Sequence, residues 1–466
     1  SVDAIARAVM EHQARAVAAL AGPRDIPPAR PSDASGGSSG GGGTGGGGAG
    51  GRGSVPTPAT SEAGSGPSGD AARMASYMSA PTAAKDDGGG GEAAVVQLPS
   101  AQQFALVKTI VRNLAMAKEQ TYGYCVGVTL TGDVQPAFLR RAIGLLVSRH
   151  ETLRTHFDED TYYQVVAQEL PMSAWLTERD VSEQEDPDAS AREHMLAEAN
   201  RPMDIFTGPL FRVLMLHTKR ATTKLILNFH HLIDDGGSVG IFYDELWALY
   251  HAMASGRTID GVLGAKLPYT AYIDRQRRDL CSGGVAAQYE QWNDRFGRLP
   301  VPLPVLRMQW EKPQGSMDEN RMIGMAGFDV PRELVSRLNR AAAEASVTTN
   351  TALLAAFLVL CGRYAWMEPP RVACVIAFNE RQDDEMRTIG FLTNLLIVDT
   401  TIGARQSFVA IMQAVHRSVL FAIDNSTAFF PTVWKEWRKS SRRARLVYFN
   451  IESNWRTGDV GGLQVE

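Results

Sequence analysis

The stretch KLILNFHHLIDDGGSVG (224–240) holds the residues best suited to chemistry in this chain. A β-rich run ends in two adjacent histidines, a short acidic loop follows, and a helix is expected to open near Ser238. Alternation along a strand puts His230 and His231 on opposite faces, so one ring can pack while the other faces a cleft. A neutral imidazole there can take a proton from an amine or a hydroxyl at neutral pH. Asp235 and Gly236 would tighten the loop that fixes it. A purely structural histidine pair fits the stretch equally well, and the residues alone leave that choice open.

Two other chemistries are weaker. GGSVG (236–240) formally matches GxSxG, but in a hydrolase elbow the serine follows its strand almost at once. Here two aspartates intervene, so capping of the helix N-terminus is the better role for Ser238. A metal held by His230, His231 and Asp235 is disfavoured because adjacent strand residues point apart.

The elements that must position these residues alternate between helix and strand. Helices are expected over 101–116, 135–150, 238–253, 332–345 and 351–364. Strands are expected over 122–130, 209–217, 224–231, 372–378 and 395–400. Such alternation in both halves implies layered α/β lobes.

Composition divides the 466 residues. Of the 44 glycines, 21 fall in 22–95, including GGSSGGGGTGGGGAGGRG (36–53), and only Tyr77 among the aromatics precedes residue 96. A segment with so little to bury cannot offset its ordering entropy, so 22–95 is expected to be a disordered linker. Residues 1–21 pattern as an amphipathic helix. The rest is long enough for two lobes, about 96–285 and about 286–466. A net charge of −4 argues against nucleic acid as a partner. The longest apolar run, ALLAAFLVLC (352–361), is too short to span a bilayer, so no membrane is expected. Four scattered cysteines without a CxxC pair point to a reducing, cytoplasmic setting.

His230, His231, Asp235 and Gly236 match the HHxxxDG signature of the chloramphenicol acetyltransferase-like superfamily. Within it the chain most resembles a condensation domain of nonribosomal peptide synthesis, a secondary-metabolism acyltransferase. RHETLRTHF (149–157), GPLFRVLML (208–216), YEQWNDRFGRLP (289–300) and NERQDDEMRTIGFLTNLL (379–396) resemble further family segments, in the family's order.

The resemblance implies an α/β fold of two chloramphenicol acetyltransferase-like lobes in a V, with a substrate tunnel between them. His231 would be the catalytic base, or would position the nucleophile, for joining a carrier-bound acyl thioester to an amine. His230 would be structural, Asp235 would pair with Arg381 to hold the loop, and Asn394 would lie by the tunnel. No metal or bound cofactor is implied. Phosphopantetheine would be delivered by carrier-protein partners or neighbouring synthetase domains. The basic cluster at Lys435, Arg438, Lys439, Arg442, Arg443 and Arg445 is a solvated face or a docking patch for acidic carriers. SVDAIARAV (1–9) resembles the start of a carrier-protein helix, making Ser1 a remnant phosphopantetheine serine, unless the helix is generic. GDVGGLQVE (458–466) is too glycine-rich to supply the strands and helix that close the family's second lobe, so C-terminal truncation is expected. Two alternatives remain: an ester-forming or release domain of the same fold, and a non-catalytic docking module.

Overall fold

The computed structural model describes residues 95–115, 122–219, 221–282, 284–297, 330–363, 371–428, 447–451, 458–460 and 462–465, with 430, 431 and 433 besides. The amphipathic 1–21, the linker up to residue 94, Ser1 and the basic cluster 435–445 lie outside them.

In the first lobe, β1 (Val95–Gln97), α1 (Ala101–Ala115), β2 (Gly123–Thr131), α2 (Pro136–Arg149), β3 (Thr155–Phe157), β4 (Gln164–Val166), β5 (Leu176–Asp180), α3 (Pro187–Asn200), β6 (Phe211–Lys219), β7 (Thr222–His230) and α4 (Gly236–Ala254) follow one another. Two helices, α5 (Tyr269–Cys281) and α6 (Gly284–Gly297), lead to α7 (Arg332–Glu344), α8 (Thr349–Arg363), β8 (Arg371–Asn379), β9 (Thr393–Thr401) and α9 (Phe408–Asp424). The chain ends in β10 (Tyr448–Phe449), β11 (Gly458–Val460) and β12 (Leu463–Val465).

The first lobe is organised by a six-stranded sheet in the order β11-β12-β2-β7-β6-β5. Period-two patterning sorts its side chains. Leu225, Leu227 and Phe229 of β7, with Phe211, Val213 and Met215 of β6, turn to one core with α2 and α4. Ile226, Leu214 and Leu216 turn the other way, against Ala191 of α3. Phe211, Phe229 and Phe242 meet with ring centroids 5.0–5.6 Å apart at the end of β7 that carries the histidines. Covered on both faces, β7 is buried over its last six residues, which explains its nearly continuous apolar run.

The second lobe is built on a three-stranded sheet, β10-β8-β9. One face packs on α7, α8 and α9 through Val372, Cys374, Val398, Leu358 and Val415. The apolar run 352–361 is therefore a core helix, and among the described residues no single helix is long and apolar enough to cross a membrane. The other face, at Val375 and Ile397, packs on Tyr272 and Ile273 of α5 and on Tyr289, Trp292 and Phe296 of α6.

Two features stand out near the lobe boundaries. Helix α5 packs with the second sheet. Its stacked Tyr269 and Tyr272 (centroids 5.6 Å apart) need an apolar sheet face, and β8–β9 supplies it. The tail beyond residue 455 does form strands. β11 and β12 make a hairpin, and β12 pairs antiparallel with β2 of the first lobe at Gln464–Thr131 and Val465–Leu130. Leu463 and Val465 are almost wholly buried there, and Gly462, at φ +87°, turns the hairpin. A glycine suits that left-handed position, and the ladder needs only backbone, so few apolar residues suffice.

Candidate active site

β7 stops at His230, so His231 opens the turn rather than continuing the strand. The two rings are separated by that turn, not by strand alternation. The His231 N–H still donates to Tyr122 O of the neighbouring strand end (2.9 Å), and the Ile233 N–H donates to His230 O (2.9 Å). The loop is thus short and tied to the sheet on both sides.

His230 is buried, and its Nδ1 accepts from the Leu232 N–H (3.1 Å). Burial is the main force pushing its pKa down, to about 3, with the neighbouring His231 adding to the effect. It is a neutral residue of the loop's interior. The His231 side chain keeps 49% of its surface exposed. Its pKa is also lowered, chiefly by the protein packed around the loop, with the Asp235 charge pulling the other way. A lowered pKa favours the neutral ring, which retains a lone pair for accepting a proton.

Asp235 is the N-cap of α4: its Oδ1 accepts from the Ser238 N–H at 2.8 Å, filling one of the orphan donors of the first turn. The helix therefore opens at Gly236, two residues earlier than expected, and Ser238 is not the cap. Arg381, just beyond β8, grips the same carboxylate with both terminal nitrogens, Nη1 to Oδ2 at 2.9 Å and Nη2 to Oδ1 at 2.8 Å. Both side chains are almost entirely buried, at 1% and 3% exposure. Oδ2 also accepts from the Leu392 N–H and the Thr393 hydroxyl, each at 3.0 Å. Ser238 Oγ accepts from Arg381 (2.9 Å) and from the Gly390 N–H (3.0 Å). A hydroxyl so engaged is a strut between the lobes, not a nucleophile. The remaining Arg381 donors go to Thr388 O and Asn379 Oδ1. Such a planar fork suits a buried carboxylate better than a flexible ammonium would.

Gly236 and Gly237 differ in a way the sequence did not reveal. A Cβ on Gly236 would meet nothing within 4 Å, whereas one on Gly237 would lie 2.8 Å from Arg381 Nη1. The close approach that keeps the clamp closed is at Gly237.

Asn394 is buried in β9, donating to Ser426 O (2.6 Å) and accepting from the Leu395 N–H (2.8 Å). It lines a cavity of about 330 Å³ with Gln102, Arg275, Gln276, Glu380 and Arg381; His231 is not part of that lining. Glu380 there accepts from the Tyr272 hydroxyl (2.7 Å) and from Gln102 (3.3 Å), and burial raises its pKa. Among the described residues, no group of three or more His, Cys, Asp or Glu side chains is placed to hold a metal ion.

Two residues beside His231 were not singled out from the sequence. Asp234 is wholly buried and accepts from the Tyr124 hydroxyl, and burial raises its pKa well above the usual carboxylate range. Tyr124 packs on His231, ring centroids 4.7 Å apart. The one available hint was two aspartates, not one, after the histidines.

The sequence profile of the Condensation domain family matches residues 102–454. The chain is a member of the condensation-domain family. It is 28% identical over 321 residues to one of the linear gramicidin synthase subunits of Brevibacillus parabrevis, covering 68% of this chain and 6% of that protein. It is 29% identical over 307 residues to phosphinothricin tripeptide synthetase PhsC of Streptomyces viridochromogenes, covering 65% and 27%. The chain therefore spans less than a third of the length of these curated relatives. Among solved structures, its fold is similar to the first condensation domain of the CDA synthetase, with a TM-score of 0.65 at 18% identity, covering 80% of this chain and 85% of that one. It is also similar to the X-domain from teicoplanin biosynthesis, with a TM-score of 0.62 at 19% identity, covering 79% and 81%. The two α/β lobes are those of the condensation-domain fold.

Two expected results test the loop of this condensation domain. His230 binds a proton more readily unfolded, near pH 6.5, than folded, near pH 3. Its contribution to stability is therefore complete above about pH 6.5 and is lost progressively as the pH falls toward 3. In His230→Gln that acid slope should flatten between pH 6 and 4, as read from urea midpoints. An unchanged slope would contradict the buried neutral assignment. In the second test, Gly237→Ala should lower the unfolding midpoint clearly more than Gly236→Ala, because only the former presses on Arg381. Equal midpoints would show that the clamp has slack.

Proposed function

We propose that this domain forms an amide bond between an acyl or aminoacyl group held as a carrier-bound thioester and an amine on a second carrier-bound substrate. The observation that carries this reading is the half-exposed His231 on a loop immobilised by buried groups from both lobes. Nε2 of His231 takes the proton of the amine as its nitrogen attacks the thioester carbonyl. The C–N bond forms, the C–S bond breaks, and the departing pantetheine thiolate takes up that proton from Nε2, returning the ring to its neutral form. The base supplies roughly 10²- to 10⁴-fold, and alignment of two tethered substrates supplies the remainder. Phosphopantetheine enters as part of the substrates, carried by acyl or peptidyl carrier proteins. Gly236, with open space around it, leaves room for a substrate chain beside the loop.

An imidazole in this position serves a hydroxyl acceptor equally well, which keeps ester formation as the second reading. A docking module without catalysis has a precedent for partner binding in the same fold, since one related structure is a complex of the X-domain with OxyB. The open His231 favours catalysis. Intact-mass detection of transfer between two loaded carriers, with free amine and alcohol acceptors run in parallel, separates the three. Product on amines supports the amide reading, product on alcohols alone supports the ester reading, and no product on any acceptor supports docking.

A further inference from the structure

The clamp leaves one acidic side chain of the loop unused. Asp235 has committed both oxygens to Arg381, the Ser238 and Leu392 N–H groups and the Thr393 hydroxyl. Asp234 is different. It is wholly buried, its Oδ2 accepts from the Tyr124 hydroxyl, and its Oδ1 is buried without a hydrogen-bond partner. A buried acceptor left in this state is costly, on the order of 1–3 kcal/mol, so it calls for an explanation.

The explanation lies 3.8 Å away, at His231 Nδ1. That is just beyond hydrogen-bonding range, and a modest rotation of the half-exposed ring closes it. Tyr124 joins the two, donating to Asp234 while its ring packs on His231. With the Tyr124 hydroxyl donating to Oδ2, the carboxylate of Asp234 presents Oδ1 as an acceptor facing His231 Nδ1, and an Nδ1–H contact there favours that ionised form against its burial. An acceptor beside Nδ1 selects the tautomer that carries its proton on Nδ1. The lone pair then sits on Nε2, the nitrogen turned away from Asp234. The other ionisable groups nearby are otherwise occupied: His230 is neutral with Nδ1 bonded to the Leu232 N–H, and Arg381 is spent on Asp235.

We propose that Asp234, held in place by Tyr124, is a positioning residue that keeps His231 in its Nδ1–H tautomer with Nε2 free to receive the acceptor's proton. This rests on the role proposed above for His231 and adds the device that orients it.

The test uses the chain with Asp234→Leu, Asp234→Asn and Tyr124→Phe. Leucine removes the acceptor but suits a buried site, so loss of folding does not confuse the result; asparagine retains an acceptor oxygen. Two readouts are taken. Imidazole ¹⁵N shifts of His231 report which nitrogen bears the proton. Turnover is measured with an acyl-pantetheine thioester as donor and an aminoacyl N-acetylcysteamine thioester as acceptor. In Asp234→Leu, kcat should fall about tenfold or more. KM for either probe should stay within about twofold. The Nδ1–H signature should be lost in the same variant. Asp234→Asn should restore both readouts in large part, and Tyr124→Phe should fall between. A folded Asp234→Leu protein with wild-type kcat, or with the His231 tautomer unchanged, overturns the proposal. The ¹⁵N readout does not depend on turnover, so it decides the matter even if His231→Ala proves active and the catalytic reading fails.

Discussion

Replacing Asp235 with alanine is expected to destabilise the protein by about 3–5 kcal/mol, because it strands the Arg381 guanidinium at 1% exposure among groups that cannot neutralise it. The same change uncaps α4 and leaves the Leu392 and Ser238 N–H groups without their acceptor. Arg381→Ala strands the carboxylate in turn. Asp235→Ala with Arg381→Ala together should cost much less than the two single losses added, since each single mutant already contains the penalty of an isolated charge. The check is a double-mutant cycle on denaturant midpoints with constant m-values. Additivity within a few tenths of a kcal/mol would contradict a coupled pair. Because the pair joins residues 146 positions apart in different lobes, the single mutants should also loosen the docking of α4 against the 388–393 segment. Faster backbone amide exchange there would register it.

The second large effect falls on rate rather than stability. His231→Ala should reduce transfer by roughly 10²- to 10⁴-fold, the usual contribution of a positioned base. The unfolding midpoint should scarcely move, because the ring is half exposed and its backbone N–H remains bonded to Tyr122 O. The contrast with Asp235→Ala would separate the proposed chemical role of His231 from the structural role of Asp235.

Much of that frame was legible in the sequence. Helix α4 shows its period plainly because it buries a defined face, and β7, buried on both faces, shows as a nearly continuous apolar run. Long-range facts were less accessible. The pairing of Asp235 with Arg381 could be read only through family resemblance, since nothing local at either residue names the other. Which of two adjacent glycines faces the guanidinium depends on the direction of a Cβ bond, which composition does not encode. Tyr124 reaches the loop because β2 pairs with β7 in the register that sets Tyr124 opposite Phe229. A one-residue slip would turn it to the other face of the sheet. The tail at 458–465 misled for a related reason. Its stability comes from adding a strand to a sheet made elsewhere, and Leu463 and Val465 are buried by that sheet rather than by each other.

The proposed role of His231 is to promote attack on a carrier-bound thioester. Single-turnover transfer tests it most directly, with donor and acceptor carriers loaded, and with wild type and His231→Ala run side by side under intact-mass detection of the condensed product. Wild type should give product on the acceptor carrier, and a folded His231→Ala protein should react at least about 10²-fold more slowly. Equal rates in the two would contradict it.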